Sequence, residues 1–116
     1  MGLFSFQKSE RLLNRADFVN VNRSGQRHHT KHFIVILTQN GLGSNRLGIT
    51  VSKKTGSAVK RNRVKRLIRE FFRLNRLYFP QGYDILIVAK KDASYCHLRE
   101  IKEELGEIIF DKGLFE

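Results

Sequence analysis

The chain has 116 residues and a formal net charge of +11, from 22 Lys and Arg against 11 Asp and Glu. This length predicts a single domain over residues 1–116, with residues 1–8 as a flexible arm because they lack a clear hydrophobic period. The one cysteine, Cys96, excludes an internal disulfide and a zinc site made of cysteines. Because no apolar run could span a membrane and no secretory signal is present, we expect a cytoplasmic protein.

The first predicted element is a short helix that begins after Asn14 and ends at Gly25. An asparagine side chain can accept a hydrogen bond from the first helical turn, whereas glycine commonly follows the last turn. Phe18 and Val21 are one helical turn apart and share the side that we expect to be buried. A short polar strand is expected to follow near residues 26–31.

Two apolar runs then predict a pair of strands. Residues 33–38 are rich in β-branched side chains and are apolar on both parities, which is typical of a central strand. Residues 46–52 alternate, with apolar side chains at the odd positions. The turn residues between the two runs favour an antiparallel hairpin, in which these strands pair directly.

The long basic helix is the most distinct pattern of the sequence. Five apolar side chains recur at helical spacing and form one stripe: Val64, Leu67, Ile68, Phe71 and Leu74. At about 100° per residue, the basic side chains lie nearly opposite that stripe: Lys65, Arg66, Arg69, Arg73 and Arg76. Pro80 and Gly82 are expected to end the helix.

A strand over residues 84–89 and a helix over residues 94–110 complete the predicted fold. The strand is again apolar on both parities, and the order strand, helix, strand suggests a crossover unit. Ser94 is the expected cap of the last helix. The sequence therefore predicts an α+β or α/β sandwich with one four-stranded sheet, helices packed on it and the order αβββαβα.

The positive charge is concentrated in one segment. Six acids and two bases give residues 100–116 a net charge of −4, which leaves +15 on residues 1–99. Residues 53–76 alone hold ten bases and one acid, Glu70. Such clustering is typical of a protein that binds a polyanion. Nucleic acid is the first candidate, an anionic membrane surface the second and an acidic protein the third.

The basic run at residues 60–69 is the strongest candidate site. Like charges one helical turn apart repel each other, and the sequence places only Glu70 close enough to relieve them. A solvated helix face normally mixes both signs, so we interpret this face as a phosphate-binding surface. Asn62 lies in the first turn, near the positive end of the helix dipole, where a phosphate could also be held.

The sequence shows no catalytic set of side chains. Residues 1–99 contain no compact pair of acids and no glycine-rich nucleotide loop. His28 and His32 have a spacing that suits a metal on a helix, but we expect a loop there, without a cysteine or paired carboxylate to join them. We therefore predict no metal site. If exposed, Phe18 and Phe33 would stack on unpaired bases, which favours single-stranded RNA as the ligand.

Residues 51–70 carry a more specific signature. This segment reads VSKKTGSAVKRNRVKRLIRE and resembles the RNR motif of the bacterial ribonuclease P protein component, with the Ser-Lys-Lys segment that precedes it. The resemblance extends over roughly residues 8–110. Other positions that fit the family are Arg11, Leu12, Asp17, Phe18 and Gly25.

The resemblance implies a role in a ribonucleoprotein that removes the 5′ leader from precursor tRNA. In that family the large RNA subunit performs the phosphodiester hydrolysis with Mg²⁺ ions, which it chiefly binds itself. The protein would be a single RNA-binding domain that binds the ribonuclease P RNA and the leader, needs no protein partner and is not catalytic alone. The family also implies a left-handed strand–helix–strand crossover, whereas the sequence alone favours a right-handed one.

The resemblance assigns two groups of site residues. The face toward the RNA subunit would consist of Lys60, Arg61, Asn62, Arg63, Lys65, Arg66, Arg69 and Arg73. The leader cleft, between the first helix and the sheet, would be lined by Phe18, Phe33, Ile36, Ser52, Lys53 and Lys54. Asn22 replaces a frequent second aromatic of the family, and Ile36 replaces a frequent Tyr or Phe. We therefore expect leader contacts to rest more on polar groups.

Three alternatives stay open from the sequence. A ribosomal protein, or another basic RNA-binding protein, could use the same helix and ranks second. A DNA-binding regulator ranks third, because no helix-turn-helix pair precedes the basic helix. A peripheral membrane protein ranks last, because the core needs the apolar stripe that lies opposite the charges.

Overall fold

The structure is a computed structural model, and it describes residues 10–12 and 14–111. The arm predicted at residues 1–8 lies outside the described residues. Within these described residues, three helices and four strands follow one another in the predicted order αβββαβα. The helices are α1 (Arg15–Ser24), α2 (Ala58–Leu74) and α3 (Leu98–Ile109), and the strands are β1 (Gln26–His29), β2 (Phe33–Gln39), β3 (Arg46–Val51) and β4 (Tyr83–Ala89). In the described part of the chain, no helix combines the length and apolar character that crossing a membrane requires.

The strands form one sheet in the order β1-β2-β4-β3. β2 pairs antiparallel with β1 and β4, whereas β3 pairs parallel with β4. The hairpin predicted between β2 and β3 is therefore wrong, because β4 lies between them. The predicted strand–helix–strand crossover is confirmed, since α2 connects the parallel neighbours β3 and β4. Parallel neighbours require such a long connection.

The sheet separates two apolar clusters. On one face, Phe33, Val35 and Leu37 of β2 pack with side chains of α2 and α3 in the main core. On the other face, Ile36 packs in a smaller cluster with Val21 of α1. Successive side chains of a strand point to opposite faces. The odd-numbered residues of β2 therefore face α2 and α3, whereas the even-numbered Ile34 and Ile36 face α1.

The caps predicted for α1 are confirmed. The Asn14 side-chain oxygen accepts a hydrogen bond from the Asp17 N–H at 2.9 Å. At the other end, the Gly25 N–H donates to the Val21 carbonyl at 2.9 Å. These contacts fix the entry and exit of a short helix that could not hold itself together in isolation.

The end of α2 differs from the prediction. Ile68 and Phe71 are buried as predicted, but Leu74 is 53% exposed and Phe72 is buried instead. The physical reason is Phe79, whose ring centroid lies 5.8 Å from that of Phe71 and 4.8 Å from that of Phe72. The chain leaves the helix after Leu74, well before the proline that was expected to end it.

The start of α3 also differs from the prediction. Ser94 does not cap the helix, because residues Lys91–Tyr95 form a separate 3-10 turn. The helix begins at Leu98, and the Glu100 carboxylate accepts a hydrogen bond from the His97 N–H at 2.9 Å. Backbone hydrogen bonds from Glu100 itself and from His97 lower the pKa of the Glu100 carboxyl.

Candidate nucleic-acid interface

Apart from Arg63, α2 presents the charged side chains of the basic run away from the main core. The Ser57 hydroxyl caps this helix by accepting a hydrogen bond from the Lys60 N–H at 3.3 Å, so the run starts within the first turn. Lys60, Asn62, Arg66 and Arg69 are exposed. Cations near the N-terminal end of a helix add to its dipole, and together they attract anions.

A cleft of about 220 Å³ connects this basic side with α1 along the edge strand β3. Lys65 and Arg69 line the cleft from α2, Phe18 lines it from α1, and Arg11 adds a third cation. Gly48 lets the ring approach, because a Cβ there would lie 2.8 Å from Phe18 Cε1. The cleft therefore holds three cations around one partly buried aromatic ring, which suits a phosphate next to a stacked base.

Arg63, which the resemblance assigns to the face toward the RNA subunit, is partly buried, and its guanidinium binds groups of the protein itself. Its guanidinium donates to the Cys96 carbonyl at 2.9 Å and to the Ser94 carbonyl at 3.3 Å. A further guanidinium nitrogen lies 3.3 Å from Nδ1 of His97. The sequence could have indicated this orientation of Arg63. On a helical wheel it lies about 40° from Leu67 and so borders the apolar stripe.

Arg73 has its charge partly compensated. It forms an ion pair with Glu70, one turn earlier, and its Nε donates to Glu70 Oε2 at 3.1 Å. The hydrogen bond from Arg73 lowers the pKa of the Glu70 carboxyl. Within the described ranges, no ion pair is found for Lys65, Arg66 or Arg69, whose charges are thus available to a ligand.

The predicted leader cleft is only partly reproduced. Phe18 lies between α1 and the sheet, as expected, and is partly buried. Phe33 is fully buried in the main core on the opposite face, so its assignment to the cleft is wrong. Ile36 is on the α1 face but is also fully buried. Ile34 and Val88 are partly buried on this face and were missed, although the parity that they share with Ile36 and Leu86 could have identified them.

The three polar residues assigned to the leader cleft do not line the cleft beside Phe18. Ser52, Lys53 and Lys54 are exposed in the turn between β3 and α2. Asn22 is exposed as well, and both its carbonyl and its side-chain oxygen accept hydrogen bonds from Arg27 of β1. Asn22 therefore links α1 to the neighbouring strand where the family often has an aromatic ring.

The histidine prediction needs one correction. His32 is joined by Cys96 and Glu104, and the ligand atoms of the three side chains all lie within 4.8 Å of one another. The expectation that no cysteine or carboxylate joins His32 is therefore wrong. The physical reason is the packing of α3 beside β2, which brings together residues that are far apart in the sequence.

The chain matches the family model described as Ribonuclease P over residues 6–112. A ribonuclease P protein component from Desulforapulum autotrophicum is 46% identical over 108 residues, which covers 93% of this chain and 92% of that protein. The one from Syntrophus aciditrophicus is 45% identical over 109 residues, with 94% and 92% covered.

Two solved structures have a similar fold. The RNase P protein from Thermotoga maritima superposes with a TM-score of 0.80 at 34% identity, covering 87% of this chain and 96% of that one. The Staphylococcus aureus RNase P protein superposes with a TM-score of 0.81 at 32% identity, covering 90% of this chain and 100% of that one.

Proposed function

Because the chain belongs to the ribonuclease P protein family, we propose that it divides its surface between two RNAs. The chain is the protein component of ribonuclease P, the holoenzyme that processes tRNA, and its partner is the ribonuclease P RNA. We assign the exposed basic side of α2 to that RNA and the cleft beside Phe18 to the 5′ leader of precursor tRNA. The match to this family does not favour the ribosomal alternative.

The observation that carries this assignment is the cleft at the β3 edge. Lys65 and Arg69 reach it from α2, and Phe18 reaches it from α1. A phosphate held by the two cations can therefore lie next to a ring that stacks on an unpaired base. The leader is single-stranded and is missing from mature tRNA, so its recognition allows the holoenzyme to distinguish substrate from product.

We assign the chemistry to the RNA subunit. Mg²⁺ prefers oxygen ligands and keeps several waters. Among the described residues of α2, the carboxylate of Glu70 is the only one available, and it is paired with Arg73. The protein would therefore hold leader phosphates by positive charge, beside Mg²⁺ ions that the RNA chiefly binds. This division agrees with the lack of a catalytic set in the sequence.

The test is cleavage of precursor tRNA by a ribonuclease P RNA at low Mg²⁺, with and without this protein. We expect the protein to stimulate cleavage, because its cations offset repulsion between the leader and the RNA subunit. Absence of stimulation under these conditions would reject the proposed function.

Phe18→Ala tests the leader cleft separately. Loss of one stacked base is worth about 1–3 kcal/mol, or about 5-fold to 150-fold in affinity. We expect this loss for precursor tRNA only, so that discrimination against mature tRNA falls while binding of the RNA subunit is kept. Tyr95→Ala is the matched control, because Tyr95 is 74% exposed and lies outside the cleft. Equal losses for precursor and mature tRNA would contradict a leader site.

A further inference from the structure

We propose that His32, Cys96 and Glu104 form a binding site for a zinc ion. One ring nitrogen, the thiol sulfur and one carboxylate oxygen lie within 4.8 Å of one another. The three residues come from the entry to β2, the end of the turn at Lys91–Tyr95 and the middle of α3. Their neighbours belong to the main core on the α2 and α3 side of the sheet, so this site is distinct from the RNA cleft.

Glu104 is oriented so that one of its oxygens can serve as a ligand. Its Oε1 accepts hydrogen bonds from the Thr30 hydroxyl at 2.8 Å and from the His32 N–H at 2.7 Å. Its Oε2 lies 2.6 Å from Nδ1 of His32. Hydrogen bonds to the non-ligating oxygen are typical of the outer shell that fixes a carboxylate in a metal site.

The geometry requires shifts of about 1 Å: the nitrogen and oxygen ligands must separate, and the Cys96 sulfur, up to 4.8 Å from them, must approach to about 3.5 Å. Ligands of a tetrahedral zinc ion, with Zn–N and Zn–O distances near 2.0 Å, lie about 3.3 Å apart. His32 Nδ1 and Glu104 Oε2 must therefore separate by less than about 1 Å to admit the ion between them. Both side chains retain some exposure, 15% and 16%, which gives the ion a path from solvent.

Cys96 supplies the ligand that selects the metal. Its side chain is buried, its N–H donates to the Ala93 carbonyl at 3.0 Å, and its own carbonyl accepts from Arg63 at 2.9 Å. Burial, with a smaller contribution from Glu104, raises the pKa of the thiol to about 11, so the metal-free sulfur is protonated. A zinc ion would replace that proton, which is released to water.

The donor set favours zinc over the Mg²⁺ that the RNA subunit uses. Thiolate, imidazole and carboxylate suit Zn²⁺, whereas Mg²⁺ takes oxygen ligands. The imidazole would bind in its neutral form, with its remaining proton on Nε2. The charges of the thiolate, the carboxylate and the ion then sum to zero, which suits a site with little exposure to water. Three protein ligands leave the fourth position to a water molecule.

The test titrates the metal-free, full-length chain with Co²⁺, which reports thiolate ligands through charge-transfer absorption in the near ultraviolet. We expect one such band, which added Zn²⁺ displaces. Cys96→Ala should abolish the band, and His32→Gln should weaken Co²⁺ binding by at least about 10-fold. His29→Gln is the matched control, because His29 is exposed on β1 and lies outside the cluster; it should change neither the band nor the affinity.

Two further measurements do not rely on variants that remove a ligand. Zn²⁺ should raise the melting temperature of the parent chain, because a ligand that binds only the folded state stabilises it. Thr30→Val leaves all three ligands in place and should weaken the affinity by about 10-fold. Absence of a charge-transfer band in the parent chain, or parental affinity in His32→Gln, would overturn the proposal and assign any bound metal to other histidines.

Discussion

The Arg63 guanidinium fixes the segment that leads into α3 by donating to two backbone carbonyls. A hydrogen bond from a charged group contributes about 1.5–3 kcal/mol. We expect Arg63→Ala to lower the free energy of unfolding by about 2 kcal/mol, measured by urea unfolding. Arg66→Ala removes an exposed side chain from the same helix and should change stability by less than about 0.5 kcal/mol. If both substitutions lowered the free energy of unfolding equally, the hydrogen bonds of Arg63 to this segment would not be stabilising.

Arg66 and Arg69 should contribute to binding instead of folding. Both are exposed; Arg66 can neutralise a phosphate of the ribonuclease P RNA, whereas Arg69 lines the cleft and can neutralise a leader phosphate. We expect the slope of log affinity against log salt concentration to fall by about one unit, for the RNA subunit in Arg66→Ala and for precursor tRNA in Arg69→Ala. Lys102→Ala removes an exposed cation from α3 and should leave the slope unchanged. An unchanged slope in the arginine variants would show that these side chains are merely solvated.

At the scale of elements, Gly25 sets how closely α1 approaches the sheet. A Cβ at this position would lie 2.5 Å from Ile36 Cγ2 and 2.6 Å from the Val21 carbonyl oxygen. Because one of these atoms is backbone, Gly25→Ala must displace α1, and we expect a loss of about 1–3 kcal/mol. The same displacement moves Phe18, so leader discrimination should fall as well. Ser24→Ala, an exposed neighbour, should affect neither the unfolding curve nor substrate discrimination.

Helices were predictable from the sequence because their signals are local. Asn14, Gly25 and the stripe through Ile68 identified two helices without knowledge of the rest of the chain. Strand pairing depends on distant residues, and the true neighbour of β2 and β3 is a strand that follows them by more than thirty positions. β2 is apolar on both parities, so its sequence could not show that Phe33 faces away from α1.

The candidate sites were likewise predictable only where a local pattern of the sequence defines them. The basic stripe was visible in one helix, whereas the cluster of His32, Cys96 and Glu104 exists only once α3 lies beside β2. Arg63 was predictable in part. Its position on α2 shows that it borders the apolar stripe, but the sequence could not show that its guanidinium binds the carbonyls of Ser94 and Cys96.

At the scale of the whole molecule, a buried carboxylate joins parts that are distant in the chain. Asp84 of β4 accepts hydrogen bonds from Arg46 at 2.8 and 2.7 Å and from Asn40 at 3.0 Å. Arg46 also pairs with Asp17 of α1 at 3.2 Å. The hydrogen bonds that Arg46 donates to Asp84, opposed by burial, raise the pKa of the Arg46 guanidinium. One ion-pair network thus connects β3, β4, the loop before β3 and α1.

Asp84→Ala should be strongly destabilising. Removing the buried carboxylate leaves Arg46 with Asp17 as its one remaining partner in this network, and we expect the free energy of unfolding to fall by about 3 kcal/mol. Asp92→Ala is the control, because Asp92 is exposed in the turn before α3. Urea denaturation of both variants provides the measurement, and a loss for Asp84→Ala no larger than that for Asp92→Ala would contradict the role of this network.

Because β4 lies between β2 and β3, the sheet cannot be completed until late in the synthesis of the chain. Until the ribosome has released Tyr83–Ala89, β2 has, among the described residues, only the short polar β1 as a sheet neighbour, and β3 has only a single bridge with Arg11. The cationic helix α2 is made before these strands can close the surface on which it packs. The polycationic nascent chain can therefore complete its sheet only after these seven residues are released, and its main core only after α3 follows.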